Sequence, residues 1–121
     1  MANKEVYVKK FSNESEITAG SYEYFDFQEE AEKSDYLPHN KLRMFNKSAV
    51  EIWVWLNGVV DSNNPDYIIG AGIGVDESVL EGVQFNLIAI QNKDSSTSIN
   101  ANEFIGRFAS VRNVWRWEKT N

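Results

Sequence analysis

Cysteine is absent from this sequence of 121 residues, and histidine occurs once, at His39. Without cysteine the chain has no disulfide, no thiol nucleophile and no cysteine-ligated zinc site. Cysteine usage therefore does not indicate whether the protein resides in an oxidising or a reducing compartment. A metal-dependent enzyme on a jelly-roll or cupin-like scaffold needs a cluster of histidines and carboxylates, which one histidine does not supply. We therefore predict that the protein is not an enzyme and uses no cofactor.

Long apolar runs are also lacking. The longest mostly apolar run, residues 83–90, is too short to cross a bilayer, and the N-terminal residues form no apolar signal core. The net charge of −6 disfavours nucleic acids and anionic membranes as partners, since binding to them selects for lysine and arginine. We expect a soluble protein, made in a cytoplasm, that binds neither nucleic acid nor membrane.

Helical periodicity is scarce, whereas short runs of β-branched and aromatic residues recur between turn-forming residues. The predicted strands are residues 5–11, 21–28, 41–46, 50–56, 67–69, 83–91 and 103–111, and helical turns fit only residues 29–34 and 76–81. Hydrophobic residues make up 42% of the chain, enough for one core without disulfides. We predict one domain over residues 1–121, an all-β, antiparallel, jelly-roll-like β-sandwich.

Two predicted strands indicate how the sheets are buried. In residues 50–56 the even-numbered positions are aliphatic, while the odd-numbered positions hold Glu51, Trp53 and Trp55, so the aliphatic side should face the core. In residues 83–91 apolar side chains occupy both sides, which is typical of a strand in the middle of a sheet.

The residues that could carry chemistry have simpler structural interpretations. His39 stands between a proline and an asparagine, a composition typical of a surface turn. Gly70, Gly72 and Gly74 follow an apolar strand as in phosphate-binding loops, but the next polar residues are acidic, at positions 76 and 77. We interpret the glycines as a flexible turn or bulge.

Two groups of acidic and amide side chains have similar alternatives. Asp61, Asn63 and Asp66 share a loop that could contribute oxygen ligands to calcium, but the spacing is not that of an EF-hand, and an Asx-type turn is favoured. The second group is a run of four acidic residues that could include a carboxylate pair for glycoside hydrolysis, but we prefer to interpret it as a solvated loop. These residues are Glu29, Glu30, Glu32 and Asp35.

The tryptophans form two W-x-W pairs, Trp53 with Trp55 and Trp115 with Trp117. Residues two apart in a strand share a face, so each pair forms an aromatic strip. The first strip is either the inner surface of a second core layer or a binding or subunit surface. The second pair lies in residues 114–121, where we expect a C-terminal docking segment that packs against a neighbouring subunit or partner.

Charge is unevenly distributed along the chain. Acidic residues are concentrated in residues 23–35, whereas Arg112, Arg116 and Lys119 surround the second tryptophan pair. We predict that the two tryptophans anchor an intersubunit contact and that these cations steer it towards a neighbour's acidic segment.

The layout of residues 41–113 resembles that of small β-sandwich accessory proteins of tailed-phage virions. The resemblance depends on four stretches: NKSAVEIWVWLNG at 46–58, YIIGAG at 67–72, VQFNLIAIQN at 83–92, and residues 99–111. It implies a non-catalytic virion protein that decorates a capsid or completes a neck or tail. Its partners would be other virion proteins and further copies of the chain.

A carbohydrate-binding module is the alternative that the residues leave open. Such modules stack sugars on exposed tryptophans of a β-sheet face, and Trp53 and Trp55 would serve that purpose equally well. Under this alternative the partner is a glycan.

Overall fold

The computed structural model describes residues 3–27, 41–59, 61–77 and 85–113. Within these ranges the chain forms no helix and eight strands: β1 (Asn3–Ser12), β2 (Tyr22–Asp26), β3 (Lys41–Asn46), β4 (Ile52–Leu56), β5 (Tyr67–Ile69), β6 (Gly74–Glu77), β7 (Leu87–Asn92) and β8 (Phe104–Asn113). The prediction of an all-β fold is confirmed.

The strands form two four-stranded sheets. Sheet 1 has the order β1-β8-β3-β6 and sheet 2 the order β2-β7-β4-β5. Every neighbouring pair is antiparallel. Consecutive strands alternate between the sheets except for β4 and β5, an order that makes the sandwich a jelly roll. The predicted antiparallel, jelly-roll-like sandwich is therefore confirmed.

Strand β4 shows why the two sheets pack together. Val50, Ile52 and Val54 are buried on the side that faces sheet 1, and Leu56 packs against the same core. The predicted core face of this strand is thus confirmed. Burying apolar area contributes about 25 cal/mol per Å², so an aliphatic row of this kind stabilises the sandwich substantially.

Strand β7 lies between β2 and β4, in the middle of sheet 2. Its residues Ile88, Ala89 and Ile90 are all buried, so both of its sides are covered. The prediction of a central strand is confirmed, although the strand begins at Leu87 and ends at Asn92.

The segment after the glycine-rich turn differs from its prediction. Residues 76–81 were expected to form a helical turn, but residues 76 and 77 belong to β6, which pairs with β3. The prediction was wrong there because a four-residue edge strand that begins with glycine lacks the apolar alternation of a buried strand. Residues 78–81, and the other predicted helical turn at 29–34, lie outside the described residues.

Phenylalanines fill the centre of the core. The ring of Phe108 lies 4.2 Å from that of Phe27, 6.1 Å from Phe11 and 6.3 Å from Phe85, measured between centroids. Tilted and edge-on pairs at these distances are the favoured geometries of aromatic rings. Rings from both ends of the chain thereby meet in one core.

Gly106 of β8 lies directly opposite Phe11 of β1, and the Phe11 ring covers it. A Cβ atom at position 106 would overlap that ring. We expect Gly106→Ala to lower the free energy of unfolding by about 1 to 3 kcal/mol, the usual cost of overpacking a core. Equilibrium urea denaturation measures the change. Gly70→Ala is the control, since its Cβ would lie 3.6 Å from Ile73, and equal stability of both variants would contradict the prediction.

Asn46, the last residue of β3, is buried and ties two loops that cross between the sheets. Its Nδ2 group donates to the carbonyl oxygens of Val50, Ile69 and Gly70 at 2.7, 3.1 and 3.2 Å. Its Oδ1 accepts from the backbone N–H and hydroxyl of Ser48 at 2.9 and 2.6 Å. One side chain therefore satisfies backbone groups of the β3–β4 and β5–β6 connections.

Asn13 and Asn92 do the same for the β1–β2 and β7–β8 connections. Asn13 directly follows β1 and Asn92 ends β7, and both are buried. Asn92 donates through Nδ2 to the carbonyl oxygens of Ile17 and Thr97 at 3.0 and 2.9 Å. Asn13 donates through Nδ2 to that of Asn100 at 3.0 Å. The two loops also pair with each other through an antiparallel bridge between Ile17 and Ile99, and the buried amides add further hydrogen bonds to backbone carbonyl groups of these loops.

Candidate functional site

The outer surface of sheet 2 carries a cluster of four aromatic residues and one isoleucine, which we call the aromatic face: Trp53, Trp55, Tyr22, Tyr24 and Ile68. Strand register places Tyr22 and Ile68 in the same row as Trp53, and Tyr24 in the same row as Trp55. Because directly paired residues point to the same side of a sheet, all five lie opposite the main core.

Trp55 is buried although it lies outside the main core, with 2% of its surface exposed. Its Nε1–H donates to the carbonyl oxygen of Asp61 at 2.9 Å. Its ring centroid lies 5.9 Å from Tyr22 and 6.2 Å from Trp53. Trp55 thus forms the base of the aromatic face, held by a loop on one side and by rings on the other.

Trp53 is only half-buried. Its Nε1–H donates to the Oε2 atom of Glu51 at 2.9 Å, and the Lys93 ammonium lies 4.1 Å from its ring centroid. A cation this close to an indole ring is attracted by the negative face of the ring. The two tryptophans predicted to act as a pair therefore differ: one is structural and the other is partly accessible.

The two tyrosines of the aromatic face were not among the predicted site residues. Their rings stack with an interplanar angle of 18° and a centroid distance of 6.3 Å, and Tyr24 is 55% exposed. The signal that could have identified them is the period of two in Tyr22-Glu23-Tyr24, the same spacing as in the W-x-W pairs.

Gln91 lies between Tyr22 and Trp53 in the strand register. Its Nε2 group donates to the carbonyl oxygen of Gly20 at 3.2 Å. Its buried Oε1 atom has no hydrogen-bond partner among the described residues. An unpaired acceptor thus lies in the middle of the aromatic face.

In the loop after β4, two aspartate side chains accept hydrogen bonds from backbone N–H groups. The Oδ1 atom of Asp61 accepts from the backbone N–H of Asn63 at 3.0 Å, and Oδ2 of Asp66 accepts from that of Leu56 at 2.7 Å. The bond between Asp61 and Asn63 is that of the predicted Asx-type turn, whereas Asp66 bonds to a residue ten positions earlier, at the end of β4. The two bonds also position the Asp61 carbonyl that holds Trp55.

A similar turn follows β7. The carboxylate of Asp94 accepts from the backbone N–H groups of Ser96 and Thr97 at 3.0 and 2.6 Å. Hydrogen bonds to the charged form hold the pKa of Asp94 below its ordinary value, chiefly through Ser96 and then Thr97. The carboxylate therefore fixes the shape of this loop.

The glycine-rich stretch forms the predicted turn. Gly72 has a φ of +73°, and the backbone N–H of Ile73 donates to the carbonyl oxygen of Gly70 at 3.1 Å. The turn carries the chain from sheet 2 to sheet 1 and is held by Asn46.

Several predicted site residues lie outside the described residues: His39, Glu29, Glu30, Glu32, Asp35, Trp115, Arg116, Trp117 and Lys119. The backbone of Arg112 lies in β8, where it pairs with Lys4. The intersubunit contact predicted for residues 114–121 therefore stays a prediction.

Within the described ranges, histidine and carboxylate side chains form no group of three that could hold a metal ion. The same ranges contain no helix of the length and apolarity needed to cross a membrane. The described surface of sheet 2 offers aromatic and apolar contact area. No protein-family model and no curated protein matches this chain.

Proposed function

We propose that the chain is a non-catalytic subunit that joins a larger protein assembly through its aromatic face. The observation that carries the proposal is the composition of that face. Tyr24 and Ile68, 55% and 56% exposed, lie on the same outer surface as the partly accessible Trp53, and Trp55 at the base of this surface is buried and held in place. Protein interfaces concentrate their binding energy in aromatic residues of this kind, packed at the centre of an apolar patch.

The assembly that we propose is a phage virion, in which the chain would decorate the capsid or complete the neck or tail. The jelly-roll strand order is one that viral capsid proteins share with lectins and cupins. The resemblance of residues 41–113 to small accessory proteins of tailed-phage virions also supports this proposal. Because a fold hosts many functions, the proposal depends on the aromatic face as much as on the strand order.

The composition of purified virus particles tests whether the chain is part of a virion. Quantitative mass spectrometry should find the chain in them at a fixed, multi-copy ratio to the major capsid or tail protein. Absence of the chain from such particles would show that the virion is the wrong assembly.

Ile68→Asp is expected to reduce incorporation into the assembly about tenfold or more, because it places a charge within an apolar contact. Ile73→Asp is the matched control, since Ile73 is 54% exposed on the β5–β6 turn, away from the aromatic face. Particles assembled with each variant are compared for bound copies. Equal incorporation of the two variants would exclude the aromatic face as the contact surface.

A carbohydrate-binding module is the second candidate. It is favoured by the stacked rings of Tyr22 and Tyr24 and by the partly accessible ring of Trp53, since flat aromatic surfaces of this kind can stack against sugar rings. Retention of the wild type on an insoluble polysaccharide, abolished in a folded Trp53→Ala variant, would establish this function instead of the assembly role.

A further inference from the structure

The outer surface of sheet 1 carries cations on three neighbouring strands. Lys10 of β1 pairs with Arg107 of β8, and Arg107 pairs with Arg43 of β3. Directly paired residues point to the same side of a sheet, and adjacent strands lie about 4.8 Å apart. The three side chains therefore form one row, which we call the cationic row.

This arrangement has an electrostatic cost. Like charges directly opposite each other destabilise a sheet, and this chain has a net charge of −6 with relatively few cations to place. Asp76 of β6 pairs directly with Arg43, so an acidic residue occupies the register position at the end of the row, and Glu14 lines a groove beside it. The three cations, which extend from the edge strand β1 across β8 to β3, create a local positive field that favours a negatively charged partner.

A groove of about 750 Å³ lies along the cationic row. Its other side is formed by Ile105 and Phe45, which pair directly with each other and are both exposed. Phe45 also packs over Gly74 of β6, where the absence of a side chain leaves room for its ring. The groove therefore combines a charged wall with an apolar wall.

We propose that this groove binds an extended acidic segment of a partner protein. Carboxylates of the segment would contact the cationic row, and its apolar side chains would cover Ile105 and Phe45. Charge complementarity of this kind sets orientation and association rate, while the apolar contact adds affinity. A nucleic acid fits less well, because it would have to approach an acidic chain through only three cations and would gain little from the apolar wall. The inference builds on the proposed assembly role and concerns the opposite sheet.

Binding of a fluorescein-labelled synthetic peptide, in which glutamates alternate with leucine and phenylalanine, tests the inference by fluorescence anisotropy. The wild type should bind this peptide, and a version with glutamine in place of glutamate should bind about tenfold more weakly or worse. Lys10→Glu should weaken binding by a similar factor. Lys47→Glu, the same change at an exposed lysine beyond the end of β3, should leave it nearly unchanged. Added salt should weaken the wild-type complex more than the Lys10→Glu complex.

Four results would overturn the inference. They are no peptide binding by the wild type at low salt, equal effects of the two lysine substitutions, equal affinity for the glutamine peptide, and tighter binding of a single-stranded oligonucleotide. A salt-sensitive dimer of the wild type that Lys10→Glu dissociates and Lys47→Glu does not would assign the groove to a second copy instead. Ile68→Asp should bind the peptide as the wild type does, so the two proposals can fail separately.

Discussion

Asn46→Ala is expected to lower the free energy of unfolding by about 3 to 5 kcal/mol, because several buried groups lose their partner at once. The carbonyl oxygens of Val50 and Ile69 and the backbone N–H of Ser48 all bond to the Asn46 side chain. Each unsatisfied buried group costs about 1 to 3 kcal/mol. Since these groups belong to two different crossing loops, the loss affects both sheets. Equilibrium urea denaturation followed by tryptophan fluorescence measures the change.

Asn63→Ala provides the control, since it makes the same substitution at an exposed side chain and leaves the backbone bond to Asp61 in place. Its stability should differ from that of the wild type by about 0.5 kcal/mol or less. Asn46→Asp should be at least as harmful as Asn46→Ala, because a carboxylate cannot donate to the three carbonyl oxygens. If Asn46→Ala unfolds at the same urea concentration as Asn63→Ala, the role assigned to Asn46 is wrong.

Trp55→Ala is expected to lower the free energy of unfolding by about 3 to 5 kcal/mol, the range typical of removing a buried aromatic side chain. The substitution empties the space between Tyr22 and the loop that contains Asp61 and leaves the Asp61 carbonyl oxygen without its donor. Trp53→Ala should lower the free energy of unfolding by less than Trp55→Ala does, because Trp53 is only half-buried. Thermal and urea denaturation of both variants measure the difference.

Trp55→Phe separates the contribution of the Trp55 hydrogen bond to stability from that of its ring packing. It keeps most of the ring volume but removes the Nε1–H donor, so about 1 to 3 kcal/mol should be lost. Equal destabilisation by Trp53→Ala and Trp55→Ala would mean that the two rings are buried alike, contrary to the geometry of the aromatic face.

The sequence predicted those parts of the fold that depend on local alternation. The burial of Ile52 and Val54 follows from the period of two in β4, and the central position of β7 follows from its apolar residues on both sides. Strand β6 was missed because its four residues owe their conformation to pairing with β3 and not to their own composition. Local pattern is a weak guide wherever tertiary pairing decides the conformation.

The candidate sites were predicted less completely, for a related reason. The W-x-W spacing identified Trp53 and Trp55 as one strip but could not show that the Asp61 loop covers only Trp55. The cationic row joins Lys10, Arg43 and Arg107, which lie far apart in the sequence. Only the strand register brings them together, and a single sequence without strand order does not reveal it.

The position of β8 in sheet 1 also determines when the protein can fold during synthesis. Strand β8 lies between β1 and β3, and the register pairs Asn3 with Asn113. A nascent chain that lacks β8 therefore holds β1 without its neighbour and lacks Phe104 and Phe108 of the core. Contacts between residues so distant in sequence form slowly, and domains that depend on them fold over milliseconds to seconds. On the ribosome the jelly roll must consequently stay open until β8 has left the exit tunnel, and chaperones that cover apolar strands would act in that interval.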